Sequence, residues 1–553
     1  MKLRGSEIVL ECLLKEGVDT IFGYPGGAVI PLYDSLYKYE GHFNHILTSH
    51  EQGASHGADG YARSTGKVGV CLATSGPGAT NTVTGIATAY SDSIPMVIIT
   101  GQVSSSLLGR DSFQEVDITS ITMTITKHNF QVQSVDEIAE IMSKAFKIAQ
   151  TGRKGPVLVD IPKDILMTET LYEPYTYNID GDSNDSIFFD DLDDVAQMIN
   201  NSIKPVIYAG GGIISSEATK ELLEFVNKGD IPVLSSLMGL GGFPRNHRLS
   251  LGLVGMHGLK ENNLAVCHSD LVIAIGSRFS DRVIGKAIEF GPMAKVIQID
   301  IDASEIGKNK AVDAHLVGPM KEILTGLTDR LDKKDRRDWL SSIHQMQEDN
   351  PTEHLWSGVK AIKLANEVFP EAIVATDVGQ HQMWTAQCWK FLKPRTFLSS
   401  GGLGTMGYGL GAAIGAKVGN PETPVVLVTG DGSFRMNLNE LSTVSKYNLP
   451  VVILLLNNNT LGMVRQWQGL FCDKRYSFTD LGNEIDFVKL ANAFGIQGAK
   501  VDNSLDLEIA LIKAKKENKP VVIECLISKD QWVYPIVPAG AAINDMIFEG
   551  GEY

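Results

Sequence analysis

The stretch Val425-Val-Leu-Val-Thr-Gly-Asp431-Gly-Ser-Phe434, with Leu454-Leu-Leu-Asn457-Asn458-Asn459-Thr460 beyond it, decides how this chain folds. Each half is an apolar run that stops at a polar turn, the pattern of a strand buried on both faces. Asp431 closes the first run, and Asn457 opens the turn after the second, 26 residues later. That interval fits one strand–helix–strand crossover, which sets the two turns side by side at one end of a parallel sheet. An anionic oxygen beside an amide oxygen suits Mg²⁺, a hard cation that prefers oxygen ligands and keeps positions for phosphates. Taken singly, Asp431 reads as a helix cap and the asparagines as a turn. The crossover spacing makes the pair specific.

The same rhythm extends outward in both directions. Around the opening stretch, 372–376, 396–398, 424–429, 450–456 and 520–527 read as buried strands. An N-terminal region has 20–22, 45–48, 68–74, 95–100 and 156–161, with helical stretches at 5–16 and 79–91. A middle region has 205–209, 231–234, 270–276 and 295–301. Apolar strands alternating with helices predict an α/β chain of three doubly wound parallel-sheet domains, at 1–165, 190–330 and 355–553. The acidic stretch 168–191 and the charged stretch 331–349 read as connections, the second partly helical. Ile94-Pro95 and Leu449-Pro450 each precede a middle strand, and Gly155-Pro156 and Lys519-Pro520 a late one. They hint that the first and third regions are related. In such sheets ligands bind beyond the carboxyl ends of the strands, so the turns there are where chemistry is sought.

Composition bounds the function. The 553 residues suggest about three or four domains. A net charge of −16 repels phosphate backbones and argues against nucleic acid as a partner. The run 451–456 is too short to span a bilayer, and Glu7, Glu11 and Glu16 interrupt any signal-like apolar stretch. No membrane partner and a cytoplasmic location are therefore expected. Cys12, Cys71, Cys267, Cys388, Cys472 and Cys525 are scattered without metal-ligand or redox spacing and read as buried, reduced thiols.

Gly-Asp431-Gly, about 26 residues and then Asn-Asn resembles the signature of thiamine-diphosphate enzymes. The resemblance implies that Asp431 and Asn458 give side-chain oxygens to Mg²⁺ and Thr460 its backbone carbonyl, the ion bridging to the diphosphate. Asp377-Val-Gly379-Gln380-His381 and Gly401-Gly-Leu-Gly404-Thr-Met406 resemble the family's other cofactor turns. Glycines there let backbone approach the diphosphate, and Gln380 and His381 can donate to it. Gly432, Ser433 and Met463 complete the implied cofactor contacts. Met406, otherwise an ordinary core methionine, matches the apolar wedge beneath the bent cofactor. Glu51, in Ser49-His50-Glu51, would by itself be a helix N-terminal charge. The resemblance makes it the glutamate that hydrogen-bonds the aminopyrimidine ring. Glutamate and metal ligands lie on different sheets, and family members place the cofactor between subunits. A homodimer or homotetramer is implied.

Further segments resemble acetohydroxyacid synthase catalytic subunits. Gly23-Tyr-Pro-Gly26-Gly27 is similar to the loop lining the reaction centre, and Phe113-Gln114 to a channel-closing phenylalanine with a glutamine that contacts the intermediate. Lys163 falls at the channel mouth. Arg282, in Gly276-Ser-Arg278-Phe-Ser-Asp-Arg282, matches an arginine proposed to hold the second keto acid's carboxylate, a task suited to guanidinium. Trp467, alone an ordinary core residue, matches a tryptophan that favours 2-ketobutyrate as acceptor. Gly210-Gly211-Gly212, with Arg153, Met256, His257, Gly276, Arg278 and Asp300, resembles the family's FAD site, although the aspartate often found near Gly318-Pro319 is missing. The resemblance implies decarboxylation of pyruvate and ligation to pyruvate or 2-ketobutyrate, giving 2-acetolactate or 2-aceto-2-hydroxybutyrate for branched-chain amino acids. A separate regulatory small subunit is expected as well.

Pyruvate oxidase, pyruvate decarboxylase and the flavin-free catabolic acetolactate synthase are rivals within the enzyme class. Glyoxylate carboligase is disfavoured because it lacks the glutamate found here as Glu51. A non-catalytic binding module should have lost the metal ligands or the glutamate, and a nicotinamide dehydrogenase should carry a dinucleotide fingerprint after a strand.

Overall fold

Apolar runs rich in β-branched residues cannot face water on either side, so they become the inner strands of covered sheets. A computed structural model describes residues 1–178, 189–347 and 355–549. Three six-stranded, all-parallel sheets follow one another along the chain. The N-terminal sheet runs, edge to edge, Asn44–Leu47, Thr20–Gly23, Gly69–Ala73, Met96–Gln102, Pro156–Pro162 and His128–Gln131. The C-terminal sheet runs Phe397–Leu398, Ile373–Thr376, Val425–Gly430, Val451–Asn457, Val521–Leu526 and Gln497–Val501. Numbered by appearance within each sheet, both read 2-1-3-4-6-5. The central sheet runs Ser250–Leu253, Val233–Ser235, Pro205–Ala209, Leu271–Ile275, Lys295–Asp300 and Ala314–Val317, which is 3-2-1-4-5-6. The chain is therefore α/β with three parallel sheets, as its rhythm predicts.

Pro95 and Pro450 stand before the fourth strand of their sheets, Pro156 opens a sixth strand and Pro520 precedes one. A residue without an N–H belongs at a strand's first position, so the paired prolines mark a shared topology.

Besides the short pair Lys2–Arg4 and Glu169–Leu171, four strands of the parallel sheets escape the sequence reading: His128–Gln131, Ser250–Leu253, Ala314–Val317 and Gln497–Val501. All four are sheet edges. An edge strand needs no continuous apolar run, and His128–Gln131 and Gln497–Val501 are mostly half-buried or exposed. The stretch read as one helix at 79–91 is two, Pro77–Asn81 and Val83–Asp92. The connection at 168–191 begins as Glu169–Leu171, paired antiparallel with Lys2–Arg4; its residues 179–188 lie outside the described ones. The connection at 331–349 carries the helix Arg337–His344. Of the cysteines, Cys12, Cys71 and Cys525 are buried and the other three half-buried, all six as free thiols.

The helix after the second strand of the N-terminal sheet, Glu51–Thr65, packs on its counterpart in the C-terminal domain, Tyr408–Gly419. A side chain at either seam would collide with backbone. A Cβ on Gly415 would lie 1.9 Å from the Gly57 carbonyl oxygen, and one on Gly60 would lie 2.2 Å from that of Ala412. Contacts step from Gly411 against His56, through Gly415 against Gly57, to Gly419 against Tyr61 and Thr65. The helices thus run in the same direction, with both N-termini at one end. Around this seam Phe22, Ile46, Tyr61 and Ile98 share one core with Leu410, Ile414, Leu427 and Ile453.

Gly415→Ala should therefore destabilise the protein by about 1–3 kcal/mol, the range for forcing atoms into a packed interior. A lowered urea midpoint, with the same substitution at exposed, unstrained Gly27 as the control, checks it.

Candidate functional site

The C-terminal domain gathers its polar turns at the carboxyl ends of its first, third and fourth strands. They enclose a cleft of about 470 Å³, counting its open mouth, lined by residues between 378 and 527. Gly379, Gln380, His381, Met406, Asp431, Gly432, Ser433, Asn458, Thr460 and Met463 are all in its wall. Gly404 is not; it is exposed at φ 72°, where a left-handed turn favours glycine.

Asp431 is 1% exposed, and its Oδ2 has no hydrogen-bond partner. Burial pushes its pKa up to about 6, against the pull of Arg435 and nearby backbone N–H groups. The Asn458 Oδ1 accepts from the Thr460 N–H at 3.1 Å, while the Thr460 hydroxyl donates to the Thr479 carbonyl at 2.7 Å. Asn457 turns away into the sheet, donating to Glu524 at 2.7 Å. Of the asparagine pair, only Asn458 lines the cleft. His381 is held neutral by burial, its pKa lowered to about 3, and its Nε2 also has no partner. The Gln380 amide nitrogen is committed elsewhere, donating to Gln466 at 3.2 Å and to the Gln531 carbonyl at 2.9 Å. Ser433 donates to the Val378 carbonyl at 2.9 Å.

An unpartnered buried carboxylate oxygen and an unpartnered buried imidazole nitrogen in one cleft wall leave uncompensated desolvation. A divalent cation satisfies the first, and a phosphate oxygen satisfies the second when the neutral ring carries its proton on Nε2. Among the described residues no three His, Cys, Asp or Glu side chains converge as a metal site. A cation here would thus rest on one carboxylate, one amide and carbonyl oxygen, with phosphate completing the shell, as Mg²⁺ does. The residues present fit Mg²⁺ with a diphosphate.

A second cluster forms at the carboxyl ends of the first three N-terminal strands. Glu51 is buried at the start of its helix and accepts from Asn81 Nδ2 at 2.9 Å. Gly78 approaches so closely that a Cβ would sit 3.2 Å from Glu51 Oε1. Gln114, at φ 60°, lays its backbone on Gly76, and Phe113 beside it is 88% exposed. Gly27 is exposed on the loop whose Ala28 N–H donates to Thr74 Oγ1 at 3.2 Å. Lys163 opens the helix after the fifth strand of the sheet order, half-buried. None of these residues lines the C-terminal cleft. Asn81 was missed in the sequence, although Gly76-Pro77-Gly78 after a strand was a signal of the kind that finds such turns.

The central domain places Arg282 over the ring of Trp467, 5.9 Å from its centroid, with Met256 Sδ 3.8 Å from the guanidinium. At the point where its strand order reverses, Gly210, Gly212 and Gly276 pack backbone to backbone, a Cβ on Gly210 falling 2.0 Å from the Gly276 oxygen. Gly211 stands clear of that contact, against Met238. His257 is buried nearby in sequence to Met256 with its Nδ1 unpartnered, its pKa lowered by burial to about 4. Burial raises Asp300 to about 6. Arg278 is half-buried, and Arg153 reaches from the N-terminal domain to Glu305 at 3.0 Å.

Family models agree with this layout. The N-terminal TPP binding domain of thiamine pyrophosphate enzymes matches residues 3–121, the central domain 192–327, and the C-terminal TPP binding domain 377–525. A probable acetolactate synthase large subunit of Methanocaldococcus jannaschii is 45% identical over 565 residues, covering 99% of this chain and 95% of that protein. The acetolactate synthase isozyme 2 large subunit of Escherichia coli K12 is 44% identical, covering 99% of each. The acetolactate synthase large subunit of Corynebacterium glutamicum is 44% identical, covering 100% and 91%.

Only the ionised Asp431 can ligate a cation, so protons and metal compete for it. With its pKa near 6, Mg²⁺ affinity should be flat above that pH and fall by about tenfold per pH unit below it. Metal titrations followed by calorimetry across this range check the slope.

Proposed function

Because the chain belongs to the acetolactate synthase large-subunit family of thiamine pyrophosphate enzymes, we propose that it decarboxylates pyruvate and joins the two-carbon unit to a second 2-keto acid. The products are 2-acetolactate from pyruvate and 2-aceto-2-hydroxybutyrate from 2-ketobutyrate. The observation that carries the proposal is the C-terminal cleft, where Asp431 Oδ2 and His381 Nε2 are buried without partners.

Thiamine diphosphate supplies, when bound, the reactive carbon and the electron sink that lets CO₂ leave. Asp431, Asn458 and the Thr460 carbonyl hold Mg²⁺. Backbone at Gly379 and Gly432, with Ser433 and His381, receives the diphosphate, and Met406 and Met463 form the apolar wall against the rings. Gln380 must release Gln466 or Gln531 if it is to donate there. Glu51, oriented by Asn81, holds the proton on the aminopyrimidine side. Gly27, Phe113, Gln114 and Lys163 border the substrate channel. Arg282 offers its guanidinium to the acceptor's carboxylate beside the Trp467 ring.

The cleft has no wall from the N-terminal domain, and Glu51 faces the turn at Gly78–Asn81. A second copy is proposed to bring its own N-terminal domain to the cleft, in a homodimer or a dimer of dimers. FAD is proposed for the central domain, where the reversal of strand order and the orphaned His257 Nδ1 support a dinucleotide. The domain units 1–165, 190–330 and 355–553, a regulatory small subunit and a cytoplasmic setting belong to the same proposal. No helix among the described residues is long and apolar enough to cross a membrane.

Incubation with pyruvate, thiamine diphosphate and Mg²⁺, with and without FAD, should yield acetolactate by mass; acetaldehyde or acetyl phosphate instead would refute the assignment. Glu51→Gln and Asp431→Asn should each lose turnover by orders of magnitude. Refolded together in equal amounts, they should recover about a quarter of the sites, since random pairing makes half the dimers hybrid, each with one intact site. No recovery would place both residues in a site within one chain. Trp467→Leu should cut the preference for 2-ketobutyrate over pyruvate by about 10–200-fold, the worth of one methylene in an apolar pocket, as competition assays would show.

A further inference from the structure

The turn that carries Met406 is held from two sides, by Gln382 and Asn437 of its own domain at Ser399, Ser400 and Gly407, and by the N-terminal domain at Gly401, Gly402 and Thr405. Gly402 N donates to Asp92 Oδ1 at 2.7 Å, and Gly401 N to Asp92 Oδ2 at 3.1 Å. Asp92 is the last residue of the N-terminal domain's helix Val83–Asp92. One turn earlier on that helix, Thr88 Oγ1 lies 2.7 Å from Thr405 Oγ1, with both side chains buried. Arg63 closes the arrangement, donating to Asp92 Oδ2 at 2.9 Å and to the Ser399 carbonyl at 2.9 Å, while Asp59 engages the same guanidinium at 2.6 Å. Within the turn, Thr405 N donates to Ser400 Oγ at 3.0 Å. A Cβ on Gly402 would lie 2.9 Å from Asp92 Oδ1, so the turn approaches as closely as glycine permits.

Gly404 sits exposed between these anchors with nothing near its missing side chain. A turn of this kind has few packing contacts to fix it and depends on its hydrogen bonds. The Asp92 side chain, itself fully buried beside a buried arginine, satisfies two consecutive backbone N–H groups, and carboxylate-to-N–H bonds are the stronger kind.

We infer that Asp92 and Thr88 are positioning residues for cofactor binding: through Gly401, Gly402 and Thr405 they set the height of Met406 in the cleft wall. The same helix begins two residues after Asn81, the partner of Glu51. One short helix therefore spans from the glutamate cluster to the turn that carries Met406. The inference rests on the cleft being the thiamine diphosphate site.

Calorimetric titration of the full-length, metal-loaded protein with thiamine diphosphate tests it. Thr88→Val removes the hydroxyl at constant shape, Thr88→Ser keeps it, and Asp92→Asn leaves one acceptor oxygen for two backbone N–H groups and the Arg63 guanidinium. The Kd for thiamine diphosphate should rise by about tenfold or more in Thr88→Val and in Asp92→Asn, as misplaced positioning groups do, and should stay near wild type in Thr88→Ser. The KM for thiamine diphosphate should follow, with kcat at saturation changed less. Should Asp92→Asn fail to fold around its buried arginine, the two Thr88 variants still decide. Equal Kd values for wild type and Thr88→Val, with any loss confined to the melting temperature of the cofactor-free protein, would overturn the inference alone. Absence of saturable binding to the wild type would overturn the function assignment with it.

Discussion

Two helices touching through bare backbone set the frame for everything else. Glu51–Thr65 and Tyr408–Gly419 meet where Gly57, Gly60, Gly411 and Gly415 leave no room for a methyl group. Such a contact is stiff because at Gly415–Gly57 and Gly60–Ala412 backbone meets backbone, with no side chain there to change rotamer. It fixes the start of one helix, where Glu51 stands, relative to the start of the other, just beyond Met406. Polar groups sealed around the seam add specificity: Tyr408 donates to Asp59 at 2.7 Å, and the fully buried Glu440 accepts from the Ser49 N–H at 3.1 Å. Their bonds are made across domains, so each domain is incomplete without the other.

Equivalent elements make that contact. Each helix follows the second strand of a sheet with the order 2-1-3-4-6-5. The N- and C-terminal domains are thus paired like two copies in an isologous dimer, though they belong to one chain. Equivalent turns then carry different chemistry. After the second strand one domain has a buried glutamate and the other the turn of Met406; after the third, one has Gly76–Asn81 and the other Asp431. The fold supplies positions, and the residues at the turns supply function.

What was legible in the sequence follows from this. Inner strands could be read because burial on both faces demands unbroken apolar runs, as at Val451–Asn457. Edge strands such as His128–Gln131 could not, since one exposed side releases the pattern. Asp431 and Asn458 were legible because two short polar turns at crossover spacing are rare by chance, and they do converge in one cleft. Glu51 needed a family resemblance to stand out, because an acid at a helix start is common. Asn81 left only the signal of its glycine-rich turn, and Asp92 and Glu440 were invisible, since each works through contacts about 300 or more residues away along the chain, at Gly401–Gly402 and Ser49. Nothing local in a sequence reports a bond of that span.

The seam also bears on the proposed assembly, in which a single chain stops short of a whole site. With the two helix starts at one end, Glu51 is fixed against its own Gly78–Asn81 turn, and the C-terminal cleft keeps a wall built from one domain. Rotating Glu51 toward the cleft of its own chain would require sliding backbone past backbone at Gly57 and Gly415, which close packing forbids. A second chain related by a twofold axis needs no such movement. It would bring its Glu51 edge to this cleft while receiving this chain's Glu51 edge at its own. On the proposed assembly the sites therefore close in pairs, and the glycine seam is the constraint that would hold each half ready for its partner.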